Sequence, residues 1–110
     1  MNTLRNKVQL IGRLGQDPEI ITFEDGNKLA KFSLATDDSY KDKKGNKVER
    51  TEWHNIVVKG GLVKVVESYV NKGKEIAVEG KLTSRSYETK EGDKRYITEI
   101  VCHDLLLMSK

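Results

Sequence analysis

The amino-acid sequence predicts an all-β domain interrupted by one helix. Three observations carry that expectation. Apolar residues recur at every second position in several segments, the pattern of half-buried strands. Only one segment places them at helical spacing. A length of 110 residues suffices for one core, so residues 1–110 are expected to fold as a single domain. Charged residues make up 34% of the chain, above the roughly 25% of an average soluble domain, which suits a thin core under a heavily solvated surface.

Val8 to Leu14 is rich in β-formers and stops at Gly15-Gln16-Asp17-Pro18, where Gly and Asp-Pro favour a turn. Ala30, Phe32, Leu34 and Thr36 alternate with Lys31, Ser33 and Ala35, giving a second strand. In the third, Thr51 to Lys59, His54, Ile56 and Val58 oppose Trp53, Asn55, Val57 and Lys59. Gly60-Gly61 then supplies a turn. Within Gly61 to Lys72, Leu62, Val65, Val66, Tyr69 and Val70 form an apolar helical stripe, with Gly73 placed as the C-cap. Strands resume over Glu75 to Tyr87 and Arg95 to Leu107, separated by the turn signal Glu91-Gly92-Asp93. Three strands, one helix and two strands fit the oligonucleotide-binding (OB) fold, a five-stranded Greek-key barrel with a helix between strands three and four.

Several classes of function are disfavoured. No stretch approaches the roughly 20 apolar residues of a membrane helix, and no apolar block with a cleavage site opens the chain, so it reads as cytosolic. Cys102 is alone and cannot close an intramolecular disulfide; its place in the alternation makes it a small core residue. With only His54 and His103 beside it, a structural zinc site lacks ligands, and no cofactor is expected. His54 has no Ser or Cys nucleophile to serve and reads as a packing or subunit-interface residue. Gly60-Gly61 lacks the remainder of a phosphate loop. No acid–base pair or nucleophile constellation suggests an enzyme.

A binding function emerges from side-chain parity. If His54, Ile56 and Val58 point inward, Trp53 stands outside on the same face as Lys59; further along the chain, Lys81, Thr83, Arg85 and Tyr87 share one parity. Rings that stack on bases, together with cations that neutralise phosphates, are what single-stranded nucleic acid requires. The run Lys41 to Arg50 adds five basic and two acidic residues, a local +3 equal to the net charge of the whole chain. A basic loop extending from strands that carry Tyr40 and Trp53 suits clamping of a strand.

At the level of motifs, the sequence resembles the bacterial single-stranded DNA-binding proteins from about Asn6 to Leu107. The resemblance lies in Asn6-Lys7-Val8 with Leu10 and Gly12, Leu14-Gly15-Gln16-Asp17-Pro18-Glu19, Leu34-Ala35-Thr36 and Thr51-Glu52-Trp53-His54. It continues through Lys72-Gly73, Glu79-Gly80-Lys81-Leu82 and Arg95-Tyr96 with Thr98-Glu99, in the family's order. It implies a homotetramer of OB folds that binds and protects single-stranded DNA in replication, recombination and repair, without catalysis. By resemblance, Trp53, Tyr40 and Tyr87 stack on bases, while Lys43, Lys72 and Lys7 contact phosphates; Lys44 and Lys81 join them from the basic loop and the strand face. Two positions depart from the family. Lys59 stands where a stacking phenylalanine is common, so a phosphate contact replaces stacking there, and Asn55 stands where arginine is common. Family members continue into a flexible linker and an acidic tip that recruits partners; this sequence stops at Met108-Ser109-Lys110, so tail-mediated partners are not expected.

Two rival readings share the fold: a dimeric, tailless primosomal accessory protein, and a protein-interaction OB module without a nucleic-acid role. The absent tail favours the accessory protein, but the segments Gly15 to Glu19 and Thr51 to His54 favour the first reading over it. The interaction module would show no salt-dependent affinity for single strands. Stacking platforms accept either sugar, so the residues do not separate DNA from RNA.

Overall fold

Alternation of β-branched and polar residues becomes strand wherever one face can be buried. The computed structural model describes residues 3–108. A 3-10 turn over Thr3–Asn6 leads into β1 (Val8–Leu14), β2 (Glu19–Thr22), β3 (Lys28–Asp37), a hairpin of β4 (Tyr40–Lys41) and β5 (Lys47–Val48), β6 (Thr51–Lys59), α1 (Leu62–Tyr69), β7 (Glu75–Glu88) and β8 (Lys94–Leu107). The strands predicted at Val8 to Leu14 and Thr51 to Lys59 have the expected bounds, and the other three differ by one or two residues. Three short strands were not anticipated. β2 pairs with β3, and β4 with β5, so the basic run is an ordered two-stranded ladder rather than a plain loop.

The five long strands pair in the cycle β1–β7–β8–β6–β3 and back to β1, with β6 and β8 parallel and the rest antiparallel. This is the OB arrangement. β1 closes the ring by switching partners: it pairs with β7 from Val8 to Arg13 and with β3 at Arg13 and Leu14. Gly12 permits the switch, because a Cβ there would lie 2.2 Å from the Ala35 carbonyl oxygen. Asn6 pins the entry to β1 by pairing with the backbone of Leu82: its amide donates to the carbonyl at 3.0 Å, and its side-chain oxygen accepts the N–H at 2.9 Å.

Inside the ring, Leu34, Ile56, Val58, Ile76, Val78, Ile100 and Cys102 form one core. The helix covers one end of it through Val63, Val66 and Val70, each worth about 1.5–3 kcal/mol when fully buried. The stripe is therefore rotated from the one expected. Tyr69 is 60% exposed, and Val63, read as outside the stripe, is buried. Helical spacing allowed both faces; the turn at Gly60, with φ +71°, fixes the one that meets the barrel. Gly73 is also not the C-cap. The helix closes at Val70, whose N–H donates to Val66, and Gly73 takes its positive φ in the next turn.

β7 and β8 are 14 residues each, longer than the barrel is tall, so their distal halves project as an exposed arm. Between Glu79 and Gly80 the register skips His103, a β-bulge. The bulge changes the parity of β8: Ile100 and Cys102 face the core before it, Leu105 and Leu107 after it. Gly80 is required at this crossing, because a Cβ would lie 2.1 Å from the Val101 carbonyl oxygen. Gly80→Ala is therefore expected to lower the urea-unfolding free energy by about 1–3 kcal/mol. Gly61→Ala, where nothing lies within 4 Å of the new Cβ, is expected to change it by less than about 0.5 kcal/mol.

Candidate nucleic-acid interface

Strand parity decides what the outer face offers. Burial of Ile56 and Val58 turns Trp53, Asn55 and Lys59 to the outside of β6, where Trp53 is 59% exposed. Val57 shares that parity but is buried at 5%, beside Lys31 of β3 and Val101 of β8. His54 points in and bonds Thr36 Oγ1 at 3.0 Å through Nε2, a packing role within the fold.

Trp53 does not hang freely. A Cβ on Gly15 would lie 2.6 Å from the indole, so the ring rests on the Gly15 backbone with its remaining surface open to solvent. Gly15, Gln16, Asp17, Glu19, Lys31, Ser33 and Trp53 line a groove of about 410 Å³. A ring supported on one side and bordered by a lysine suits an incoming base, since less freedom is lost on stacking. The sequence reading missed both Gly15 and Lys31. Lys31 carried a signal in its outward parity on β3, whereas Gly15 meets Trp53 only through a contact across the fold.

Arg85 lies on the outer face of β7, as parity predicted, but it is not a free cation. Its Nε donates to Glu99 Oε1 at 3.0 Å and its Nη2 to Oε2 at 3.3 Å. Glu99 is the one buried charged residue among those described. The hydrogen bonds from Arg85 hold its carboxyl below the usual carboxylate range despite burial, and the charges of Arg85, Lys31 and Lys59 act in the same direction. Of these three cations, Arg85 alone is bonded to the carboxylate.

The remaining predicted residues fall into three places. Tyr40, Lys43 and Lys44 lie on the β4–β5 hairpin, rooted beside the Asp37–Thr51 pair and so at the Trp53 end of β6. Asp42 shapes its tip by accepting the N–H groups of Lys44 and Asn46, both at 2.9 Å. Arg50 is engaged with Glu52 at 3.1 Å, and Lys47 with Glu49 at 3.8 Å. The tip cations Lys43 and Lys44 are in no ion pair among the described residues. Tyr87 is 49% exposed and continues the Lys81, Arg85 face along the arm. Lys72 sits in the turn after α1, where its N–H donates to Asp17 at 2.8 Å, beside the Trp53 groove.

Lys7 is the exception. Its ammonium pairs with Glu79 at 3.4 Å, and Glu79 lies six residues, about 20 Å of strand, from Arg85. Next to this pair, Ile11, Ala77 and Leu106 form an outward row across β1, β7 and β8, with Ile11 48% and Leu106 63% exposed. Lys7 borders this apolar stripe on one side and, continuing the Val8–Gly80 register, stands beside Lys81 on the other.

Fold and outer face together define an OB-fold domain with a supported indole, exposed tyrosines and lysines on its outer surface. The comparisons agree with that class. Residues 5–108 match the model of the single-strand binding protein family. The chain is 49% identical over 106 residues to single-stranded DNA-binding protein 1 of Xylella fastidiosa, covering 96% of this chain and 78% of that one. It is 47% identical over 104 residues to single-stranded DNA-binding protein 1 of Chlorobaculum tepidum, covering 94% and 64%. Among solved structures it is similar to a Plasmodium falciparum SSB in complex with ssDNA, with a TM-score of 0.87, 35% identity and coverage of 94% and 95%. It is similar too to a single-stranded DNA-binding protein from Thermus aquaticus, with a TM-score of 0.80 and 25% identity over 94% of this chain and 50% of that one. This chain belongs to the single-strand binding protein family, whose members bind DNA and are not enzymes. No helix among the described residues is long and apolar enough to cross a membrane. Ser109 and Lys110, part of the reading that no acidic tail follows, lie outside the described residues.

The Arg85–Glu99 pair has a pH signature. Because the folded carboxyl is lowered, its contribution to stability is complete above the ordinary carboxylate range and is lost as pH falls through the lowered value. Urea midpoints measured from neutral to about pH 3 should fall less steeply for Glu99→Gln than for the parent chain.

Proposed function

We propose that this chain binds single-stranded DNA without sequence preference, protecting it in replication, recombination and repair in the bacterial cytosol. One observation carries the reading above all: the exposed Trp53 indole, seated on Gly15, borders Lys31 in one groove. Bases stack on Trp53 and, along the strand, on Tyr40 and Tyr87, while Lys31, Lys43, Lys44, Lys59, Lys72 and Lys81 neutralise phosphates. Neither contact reads a base edge, so affinity is sequence-tolerant and salt-dependent. Arg85 contributes by exchanging part of its bond to Glu99 for a phosphate. Lys7 has a different task in this account, holding the rim of the apolar row with Glu79.

That row supports self-association. Ile11, Ala77 and Leu106 are apolar, contiguous and outward-facing on a chain that is 34% charged, and a second copy turned about a two-fold axis covers them. A homotetramer joins two such pairs. Light scattering should give about four chain masses for the parent and a smaller mass for Leu106→Glu.

Titration with oligo(dT) tests the binding reading directly, since Trp53 is the only tryptophan. Its fluorescence should be quenched on binding, and Trp53→Ala should weaken affinity by about 1–3 kcal/mol without unfolding the domain. Replacing both Lys43 and Lys44 by Ala should lower the salt slope of log K by about 1.4, since each single-strand phosphate left without its lysine reduces the slope by about 0.7. No quenching and no salt-dependent binding would leave a protein-interaction module as the better reading.

A further inference from the structure

A large cleft lies outside the groove described above. It has a volume of about 810 Å³ and opens between the β2–β3 turn and the β6–α1 turn, with Phe23, Leu29, Val63, Lys28, Lys59 and Lys64 among its walls. Phe23 is 50% exposed. Its backbone is fixed: its N–H donates to Asn27 at 2.8 Å and its carbonyl accepts from Gly26 at 3.0 Å, so the turn holds the ring at the edge of the cleft. The ring is absent from the core cluster.

Charge in the cleft favours an anion. The Lys28 ammonium lies 3.3 Å from Glu67, neutralising it, and both carboxylate oxygens of Asp25 accept hydrogen bonds from Asn27. Lys59 and Lys64 are in no ion pair among the described residues. Lys59 also belongs to the outer face of β6, so the cleft continues the surface that carries Trp53.

We propose that this cleft is a second base-stacking subsite, in which Phe23 receives a nucleobase and Lys59 and Lys64 hold the adjoining phosphates. The inference rests on the single-strand reading above and extends its path from one end of β6 to the other. Lys59 offers no ring, and Phe23 supplies one across the cleft from it. Trp53 and Lys59 are six residues apart, about 20 Å along the strand. At the duplex spacing of about 3.4 Å per nucleotide, roughly six nucleotides cover that distance.

Phe23→Trp in a Trp53→Phe background tests this by placing the only indole in the cleft while retaining a ring at position 53. Labelled oligo(dT) reports binding by anisotropy, and tryptophan emission reports the cleft. Oligo(dT) longer than about six nucleotides should bind and quench the introduced indole, whereas shorter oligo(dT) should quench it much less. In the parent background, Phe23→Ala should weaken binding of the longer strand about tenfold, with little effect on the shorter one. Bound long oligo(dT) with an unquenched indole, or an unchanged affinity in Phe23→Ala, would overturn the subsite and leave single-strand binding standing. Absence of any anisotropy change in the parent chain would overturn both.

Discussion

Burial of Ile56 and Val58 is the constraint on which the interface depends. A strand sends successive side chains to opposite faces, so seating these two residues in the core commits Trp53, Asn55 and Lys59 to the outside. β3 and β8 flank β6 in the sheet and are locked by their own core residues, Leu34 and Ile100 among them. Lys31 and Glu99 are thereby held in place on either side of β6. A slip of one residue in any of these strands would put the cations into the core and the aliphatic residues into water. The same burial that makes the fold makes the binding face.

Electrostatics on that face are organised from beneath. Glu99 is buried where its carboxylate can hold Arg85, and the charges of Lys31 and Lys59 act on it as well. Its ionisation is stabilised by the cations, and in return it limits their mutual repulsion on an unliganded surface. Arg85 is engaged by Glu99, whereas Lys43 and Lys44 at the tip of the β4–β5 hairpin are in no ion pair among the described residues. Glu79 and Glu67 are paired with lysines away from the Trp53 groove, whereas Asp17 and Glu19 line it with Lys31.

Most of the barrel was legible because its strands announce themselves by period alone. β1 and β6 could be bounded to the residue, and the outward placing of Trp53 followed from the aliphatic residues beside it. Short elements carried no such signal. β2 has four residues and the β4 and β5 strands two each, too few for a period, and their pairing depends on neighbours distant in sequence. The helix face was misjudged because Val63 and Tyr69 each fit an apolar stripe, and only the barrel's end decides between them. The Lys7–Glu79 ion pair across β1 and β7 joins residues far apart in the chain, so the sequence does not announce it. Gly15, Glu99 and Phe23 matter through contacts across the fold, and no spacing in the sequence reveals those.

At the centre of this account stands one claim, that the outer face of β3 and β6 with the distal halves of β7 and β8 takes the strand, while the Ile11, Ala77, Leu106 row at the near end of β7 does not. Backbone chemical-shift mapping of the isotope-labelled protein with oligo(dT) tests it most directly. The account predicts the largest changes at Gly15, Lys31, Trp53, Asn55, Lys59 and Arg85, with the hairpin tip following and Ile11, Ala77 and Leu106 nearly still. Changes concentrated on that apolar row, with Trp53 and Lys31 unmoved, would contradict it.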